Sequence, residues 1–442
     1  MQIELPFKVK TIIENLEAAG YEAFAVGGCV RDSLMGRIPQ DWDITTSAKP
    51  QQVKELFKRT IDTGIQHGTV TVMIEKEGFE VTTYRIDGEY EDARHPKEVI
   101  FTANLIEDLK RRDFTINAMA YNEKEGLVDV FDGIGDMQKK VIRCVGEPKE
   151  RFTEDALRMM RAVRFGAQLG FDIEEKTKAA ITELAPSLKK ISAERIQTEL
   201  IKLLVSNHPE EVRTLYTAGI SAEIFPWLDK MMKTEQNNPH HCYNVGEHTI
   251  HALQNIPADK VLRLTMLFHD MAKPECKTVD EKGIYHFKGH QAESAKNAKR
   301  VMRELKFDND TIDRVTSLVM WHDDNPPVTP ANIRRAIHRI GEQQFPELFL
   351  VKRADTMGKS TYQREEKLAY IDAYEKQYEE ILKERDCISL KMLAVTGADL
   401  IAAGMERGKG IGEALNYLLE LVLEHPEYNT KEILMEKLEH RA

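Results

Sequence analysis

Cysteine is scarce in this sequence: five in 442 residues, Cys29, Cys144, Cys242, Cys276 and Cys387, with no CxxC pair. That scatter excludes a disulfide framework and a thiolate zinc site. No apolar run approaches the ~20 residues needed to span a bilayer. The opening stretch, Met1 to Phe7, lacks the basic region and apolar core of a secretion signal. Positive charge is also in deficit. Lys and Arg number 62 against 73 Asp and Glu, a formal net charge of -11. This excludes a uniformly basic coat for nucleic acid but not a local basic face, because binding follows the distribution of charge as well as its sum. With 42% hydrophobic and 31% charged residues, wholesale disorder is excluded too. The expectation is a soluble, cytoplasmic protein without membrane association, of two to four domains at roughly 100–200 residues each. Oligomeric state is not legible.

Apolar Ile12, Ile13 and Leu16, followed by Gly20, predict an amphipathic helix over residues 8–19. Tyr21 to Val26 reads as a strand entering a tight turn at Gly27-Gly28. Val70–Ile74 and Phe79–Tyr84 read as a hairpin. After Pro148 the patterns become long and helical, with breaks near Pro209, Pro239 and Pro326-Pro327, and no repeat is visible. The predicted class is multidomain α+β, a small mixed-sheet head followed by a mainly α-helical remainder.

The chemistry starts at the glycines. Gly27-Gly28 let backbone approach a ligand, and the helix start that follows offers free N–H groups to an anion, with Arg31 adding charge. Ten residues on, Asp41-Trp42-Asp43 is expected on a second strand, where alternation puts both carboxylates on one face. Paired carboxylates repel unless a cation sits between them. Two divalent ions ~3.5–4 Å apart do so, and they activate an attacking oxygen while stabilising a leaving phosphate. Glu80 is a third candidate acid. At Arg111-Arg112-Asp113 two arginine forks suited to triphosphate oxygens precede an expected helix start.

Glu154-Asp155-Ala156-Leu157-Arg158 opens the helical region, and Asp155 and Arg158 are read as i,i+3 neighbours on one helix face. A carboxylate only accepts hydrogen bonds and a guanidinium only donates them. Cytosine and adenine present an amino donor beside a ring-nitrogen acceptor; guanine and uracil present the reverse. The pair therefore fits C and A, and the polar groups it would leave unpaired against G and U make rejection strong.

Taken together, Gly27–Asp32, Asp41–Asp43, Arg111–Asn117 and Glu154–Arg158 resemble the class II tRNA nucleotidyltransferases, the CCA-adding enzymes, and their relatives the bacterial poly(A) polymerases. The resemblance implies a polymerase-β-like head (1–145), a base-reading neck (146–208), a helical body (209–375) and a helical tail (376–442) that clasp tRNA. It implies addition of CMP and AMP from CTP and ATP. Asp41 and Asp43 would hold Mg²⁺. Gly28, Arg31, Arg111, Arg112, Asp113 and Asn117 would contact nucleotide, Asp155 and Arg158 its base, and Arg161 and Arg164 its phosphates. The charged loop Asp87–Pro96 is similar to the family's flexible loop, which implies A addition. Lys110, Arg111, Arg112, Lys139, Lys140, Arg143, Lys149, Arg151, Arg158, Arg161 and Arg164 predict a basic face for RNA. An A-only transferase or poly(A) polymerase, a hydrolase with an RNA-binding head, and a non-catalytic RNA-binding protein are the alternatives.

A second constellation follows: His248, His269-Asp270, His290, His322 and Asp355. Imidazoles with carboxylates suit divalent transition metals, and facing helices can gather them into a core site. This resembles an HD-domain phosphohydrolase with the ligand set for two metals. Such domains accompany some CCA-adding enzymes, where they imply phosphatase and cyclic phosphodiesterase side activities.

Overall fold

The computed structural model describes residues 2–87, 99–237 and 240–440, and the chain divides into two compact units, Met1–Pro226 and Trp227–Ala442. Most of the charged loop, residues 88–96, lies outside the described residues.

The first unit begins with α1 (Phe7–Ala18), β1 (Ala23–Val26), α2 (Gly28–Leu34), β2 (Ile44–Thr46), α3 (Pro50–Leu56), β3 (Thr60–Gly64), β4 (Thr69–Ile74) and β5 (Glu77–Thr83). The short pair β6 (Arg85–Asp87) and β7 (Val99–Phe101), α4 (Leu105–Lys110), β8 (Ala120–Asn122) and β9 (Gly126–Val128) follow. Seven strands form one sheet in the order β3-β4-β5-β2-β1-β8-β9. Among the described residues of this sheet only β2 and β5 pair in parallel, with Ile44 opposite Val81. The expected hairpin is β4–β5, closed with Ile74 opposite Glu77. Alternation along β1 builds two cores. Ala23 and Ala25 face α1, whose Val9, Ile12, Ile13 and Leu16 are buried. Phe24 and Val26 face Leu105 and Leu109 of α4.

Beyond the sheet come α5 (Gly133–Lys139), β10 (Val141–Ile142), α6 (Pro148–Glu154), α7 (Leu157–Leu169), β11 (Asp172–Ile173), α8 (Glu175–Leu184), α9 (Ala193–Leu204), α10 (Val212–Thr217) and α11 (Ile220–Ile224). Helix α7 is buried along nearly its whole length and packs against α9. Gly170, at φ +69°, ends it in the left-handed conformation that glycine adopts without strain.

The second unit is almost wholly helical: α12 (Pro226–Met232) at its boundary, then α13 (Val245–Gln254), α14 (Lys260–Phe268), α15 (Lys273–Cys276), the hairpin β12 (Thr278–Val279) and β13 (Tyr285–His286), α16 (His290–Glu304) and α17 (Asn309–Trp321). It continues through α18 (Pro330–Ile340), α19 (Phe345–Gly358), α20 (Arg364–Glu384), α21 (Gly397–Ala402), α22 (Lys409–Glu424) and α23 (Lys431–Glu439). Helices α13, α14, α17 and α19 pack on one another. A separate apolar cluster, including Leu400, Leu418, Val422 and Leu434, holds the last three helices together. Among the described residues, no helix is long and apolar enough to cross a membrane, and all five cysteines are free.

Candidate active sites

The glycine turn is where sequence reading placed it. Gly27 sits at φ +83° between β1 and α2. That backbone angle favours glycine, and a Cβ there would lie 3.0 Å from Nη1 of Arg112, which would have to give way. Asp41 to Asp43 differ from expectation: they precede β2 rather than lying on it, because the strand starts only at Ile44. The lead-in is nonetheless held, with the Val26 N–H donating to the Asp43 carbonyl at 3.0 Å. The parallel register of Ile44 with Val81 carries back to set Glu80 beside Asp43.

Electrostatics tie these three acids together. Asp41, Asp43 and Glu80 are all solvent-accessible, yet their mutual proximity is felt. Desolvation by the surrounding protein pushes the Asp43 carboxyl up; Arg112 pulls against it and Asp41 adds to the rise. Desolvation likewise raises Glu80, followed by Asp43 and Asp41. A divalent cation bound by hard oxygen donors would remove that penalty.

The arginines form a braced network. The 111–113 segment is the exit of α4, with Arg111 as its C-cap, and precedes a 3₁₀ turn at Thr115–Asn117 rather than an α-helix. Asp108, fully buried in α4, accepts from Arg111 Nε at 2.9 Å and lies 3.6 Å from Arg112. Arg112 keeps a buried Nε without a hydrogen-bond partner among the described residues. Arg31 donates to Asn117 Oδ1 at 2.6 Å, Asn117 donates to Asp113 at 3.2 Å, and Arg161 donates to Asp113 at 2.8 Å. Burial works against the Asp113 charge, but Arg161, Arg158 and Asn117 together hold its carboxyl at about 2. Phe165 lies among three guanidiniums, with Arg164 3.7 Å, Arg31 5.2 Å and Arg161 5.3 Å from its ring centroid.

Asp155 and Arg158 do not share a helix face. Asp155 caps α6 with extended backbone, and α7 starts only at Leu157. The Asp155 carboxylate receives both arms of Arg195 from α9, at 3.2 and 2.7 Å. Arg158 donates to Glu154 at 2.6 Å and to the Arg111 carbonyl at 3.0 Å. The break re-aims both side chains, and each is fixed by a partner of opposite charge. The basic face is also less bare than expected. Ten of its eleven cations have a carboxylate within 4.0 Å among the described residues, from Lys110 with Glu107 to Arg164 with Glu199. Sequence reading missed Asp108, Phe165, Arg195 and Glu199. The i,i+3 and i,i+4 spacing of Asp108 to Arg111 and Arg112 was the only local signal.

In the second unit all six predicted ligands converge. His248 comes from α13, His269 caps α14, Asp270 follows it, His290 opens α16, His322 caps α17 and Asp355 lies in α19. They form two groups, His248–His269–Asp270–Asp355 and Asp270–His290–His322, each with one donor atom per residue within 4.8 Å of the others. Every imidazole turns Nδ1 to a backbone carbonyl: His248 to Gly358 at 3.1 Å, His269 to Met266 at 2.6 Å, His290 to Phe287 at 2.8 Å and His322 to Val319 at 2.7 Å. That leaves the four Nε2 atoms facing inward, the orientation that ligating imidazoles need. His248 and His269 bring theirs within 3.1 Å, and Asp355 approaches His248 at 3.0 Å. Lys273 lies 2.7 Å from Asp270, and Lys359 pairs with Asp355. Burial would push His269 down, but Asp270 and Asp355 lift it to about 9. Two lysines thus sit against the two carboxylates, and divalent ions fit the donors of the cluster. Lys273 and Lys359 carried no signal in the sequence pattern.

Comparison with known proteins gives a consistent result. The family described as Poly A polymerase head domain matches residues 23–143, the polymerase A RNA- and SrmB-binding-site family residues 170–232, and tRNA nucleotidyltransferase domain 2 residues 284–438. A CCA-adding enzyme from Enterococcus faecalis is 35% identical over 432 residues, covering 96% of this chain and 93% of that one. Those from Lactiplantibacillus plantarum and Levilactobacillus brevis are 56% and 52% identical over 200 and 212 residues, 45% and 48% of this chain. The matches span about half of these two relatives, 49% and 53%. The crystal structure of a Bacillus stearothermophilus CCA-adding enzyme in complex with CTP superposes with a TM-score of 0.76, at 30% identity over 99% of both chains. A Thermotoga maritima CCA-adding enzyme complexed with tRNA shares the fold, with a TM-score of 0.60 at 22% identity over 100% of both chains.

Proposed function

Because the chain belongs to the CCA-adding enzyme family, we propose that it adds CMP and AMP to the 3′ end of tRNA from CTP and ATP, without a nucleic-acid template. The observation that carries this reading is the Gly27 turn, with Arg112 against it and Asp41, Asp43 and Glu80 at its side. Gly27-Gly28 and the start of α2 admit a triphosphate to close backbone contact. Arg31, Arg111 and Arg112 orient it, held by Asn117 and Asp108. Asp41 and Asp43 would hold Mg²⁺, which would supply charge stabilisation for the attacking and leaving oxygens. The primer 3′-oxygen bonds to the α-phosphorus, the bond to the bridging oxygen breaks, and pyrophosphate leaves. Asp155 accepts from the amino group of C or A while Arg158 donates to the ring nitrogen. Asp113, through Arg161 and Asn117, joins the head to α7 so that both contacts act on one nucleotide.

In this reading residues 1–145 are the head, 146–208 the neck, 209–375 the body and 376–442 the tail, and the protein works in the cytoplasm, where tRNA is matured. The experiment is incorporation of each labelled NTP into tRNA lacking CCA. Sequential use of CTP and ATP is expected. Use of ATP alone would replace the proposal with an A-only transferase.

The converging donors of the second unit favour a second activity, HD-type phosphohydrolysis with a divalent transition metal such as Mn²⁺, Co²⁺ or Ni²⁺. His248, His269, Asp270, His290, His322 and Asp355 would hold two ions, which supply an activated water. Lys273 and Lys359 bring positive charge to the substrate phosphate. Metal content and hydrolysis of phosphomonoesters and 2′,3′-cyclic phosphates by the purified protein test it.

A further inference from the structure

A buried charge is costly unless it is paired and hydrogen-bonded. Lys352 of α19 is 3% exposed. Its Nζ donates to the His322 carbonyl at 3.1 Å, to the Asp324 carbonyl at 2.6 Å and to Oδ1 of Asn325 at 3.2 Å. These three acceptors match the three N–H donors of an ammonium, and all of them belong to one short stretch of chain, 322–325. Lys273 and Lys359 are used differently. They pair with the carboxylates Asp270 and Asp355 and line the cavity of about 640 Å³ beside the histidines. Lys352 lines a smaller cavity, of about 270 Å³, and with its donors taken it offers that space no hydrogen bond.

The stretch that Lys352 holds is a helix end. Helix α17 closes at Trp321, with His322 as its C-cap. The last carbonyls of a helix have no partner within it, and a cation beside them is favourable. Here the same helix end carries a donor of the metal cluster. His322 turns Nδ1 to the Val319 carbonyl one turn back, at 2.7 Å, and its Nε2 lies 3.6 Å from Asp270. The ring is therefore aimed by its own helix, and the helix end is fixed by Lys352. Neighbouring helices tie the same stretch. Gln291, next to His290 in α16, donates to Asp323 at 3.3 Å, and Tyr370 of α20 donates to the Pro326 carbonyl at 2.8 Å. Lys352 also stands three residues before Asp355 in α19, the spacing of neighbours on one helix face. One helix thus supplies a donor of the first group directly and steadies a donor of the second at one remove.

From this we infer that Lys352 is a positioning residue for the second donor group, Asp270–His290–His322: by pinning residues 322–325 to α19 it sets His322 where a second divalent ion can be held. The inference rests on the two-metal reading of this unit and adds what one lysine does for one of the two ions. Its consequence is one-sided. The first group, His248–His269–Asp270–Asp355, has no donor on the pinned stretch and keeps its affinity without Lys352. Loss of an outer partner of a ligating residue typically changes metal affinity by about 10–100-fold, and that loss falls on the second ion.

The test is a Mn²⁺ titration of the full chain, followed by calorimetry and by electron paramagnetic resonance, in which two neighbouring ions give a coupled spectrum. The variants are Lys352→Met, which keeps the length of the side chain without its donors, and Asn325→Ala, which removes one exposed acceptor. Unchanged nucleotide addition confirms their folds. The wild type should take up two ions. In Lys352→Met the second should bind at least about tenfold more weakly and the first within about threefold of wild type, and the coupled spectrum should fade. A support of the unit at large would weaken both ions equally, and that result would overturn the inference, as would wild-type uptake of both ions. Should Lys352→Met fail to fold, Asn325→Ala decides: the second ion alone should weaken, by about two- to threefold, and an unchanged second ion is the contrary result. A wild type that takes up one ion or none removes the two-metal reading, and this inference with it.

Discussion

The two acidic centres of this molecule are built in opposite ways. In the second unit every donor is already aimed, each imidazole fixed by its own backbone carbonyl and each carboxylate neutralised by a lysine or a histidine. In the head, burial and then the neighbouring carboxylates raise the proton affinity of Asp43 and Glu80, and at Asp43 only Arg112 pulls against the rise. A centre that keeps its ions through turnover gains from a rigid cage, because preorganised donors lose little on binding. One whose ions arrive with each triphosphate gains from ligands under mutual repulsion, which the incoming ion relieves. Burial follows the same division: the six histidines and aspartates of the second unit are all buried, while the three head acids reach solvent.

The sharpest way to break this comparison is to remove one head acid. Asp43→Ala should lower nucleotide addition at least ~10³-fold and leave cyclic phosphate hydrolysis unchanged. Near-normal incorporation by the folded variant would sink the assignment of Asp43. Next, the double substitution His269→Ala, Asp270→Ala should abolish bound transition metal, measured by elemental analysis, together with hydrolysis, while nucleotide addition stays within twofold. Metal retained in full would mean that the ions sit elsewhere. A finer comparison concerns base choice. Asp155→Ala should erode discrimination against UTP and GTP by ~1–3 kcal/mol per lost contact, measured as kcat/KM for all four nucleotides. Arg195→Ala should act in the same direction and more weakly, since it removes the brace and not the acceptor. Unchanged selectivity in Asp155→Ala would place base choice elsewhere. The smallest effect is on stability. Asp113 sits at about 2 in the fold against roughly 3.9 unfolded. Its charge therefore contributes about 2–3 kcal/mol above pH 4, lost as pH falls from about 4 to 2. Asp113→Asn should flatten that part of a pH-dependent denaturation curve. Asp43 and Glu80 have the opposite sign, so neutralising either should add slight stability at neutral pH.

The sheet and the glycine turn were legible because local signals agreed. Alternating apolar residues in Val70–Val72 and Phe79–Val81 match the observed hairpin, and Gly27 marks a backbone angle no other residue adopts as cheaply. Asp41 to Asp43 were misplaced because two aspartates weaken a strand that the β-branched Ile44-Thr45-Thr46 then begins. The break at Asp155 left no mark, since no glycine or proline lies between Pro148 and Gly166. It is held by Arg195, forty positions away in the chain, and such tertiary partners are invisible to periodicity. The six converging histidines and aspartates of the second unit could be picked out by residue type alone. The lysines beside them could not, because a lysine in a charged helix looks like any solvated one.

Asp270 belongs to both donor groups of the second unit. In the proposed reading that one carboxylate would serve two ions, so their occupancies would not be independent. The group with four donors, His248, His269, Asp270 and Asp355, would fill first. The second ion would then meet a carboxylate whose charge is already shared and a neighbour of its own sign. Loading should therefore appear as two separated steps in a titration rather than one. Between those steps lies a range of metal concentration in which the protein is half-loaded, and its hydrolytic output would be graded by metal supply.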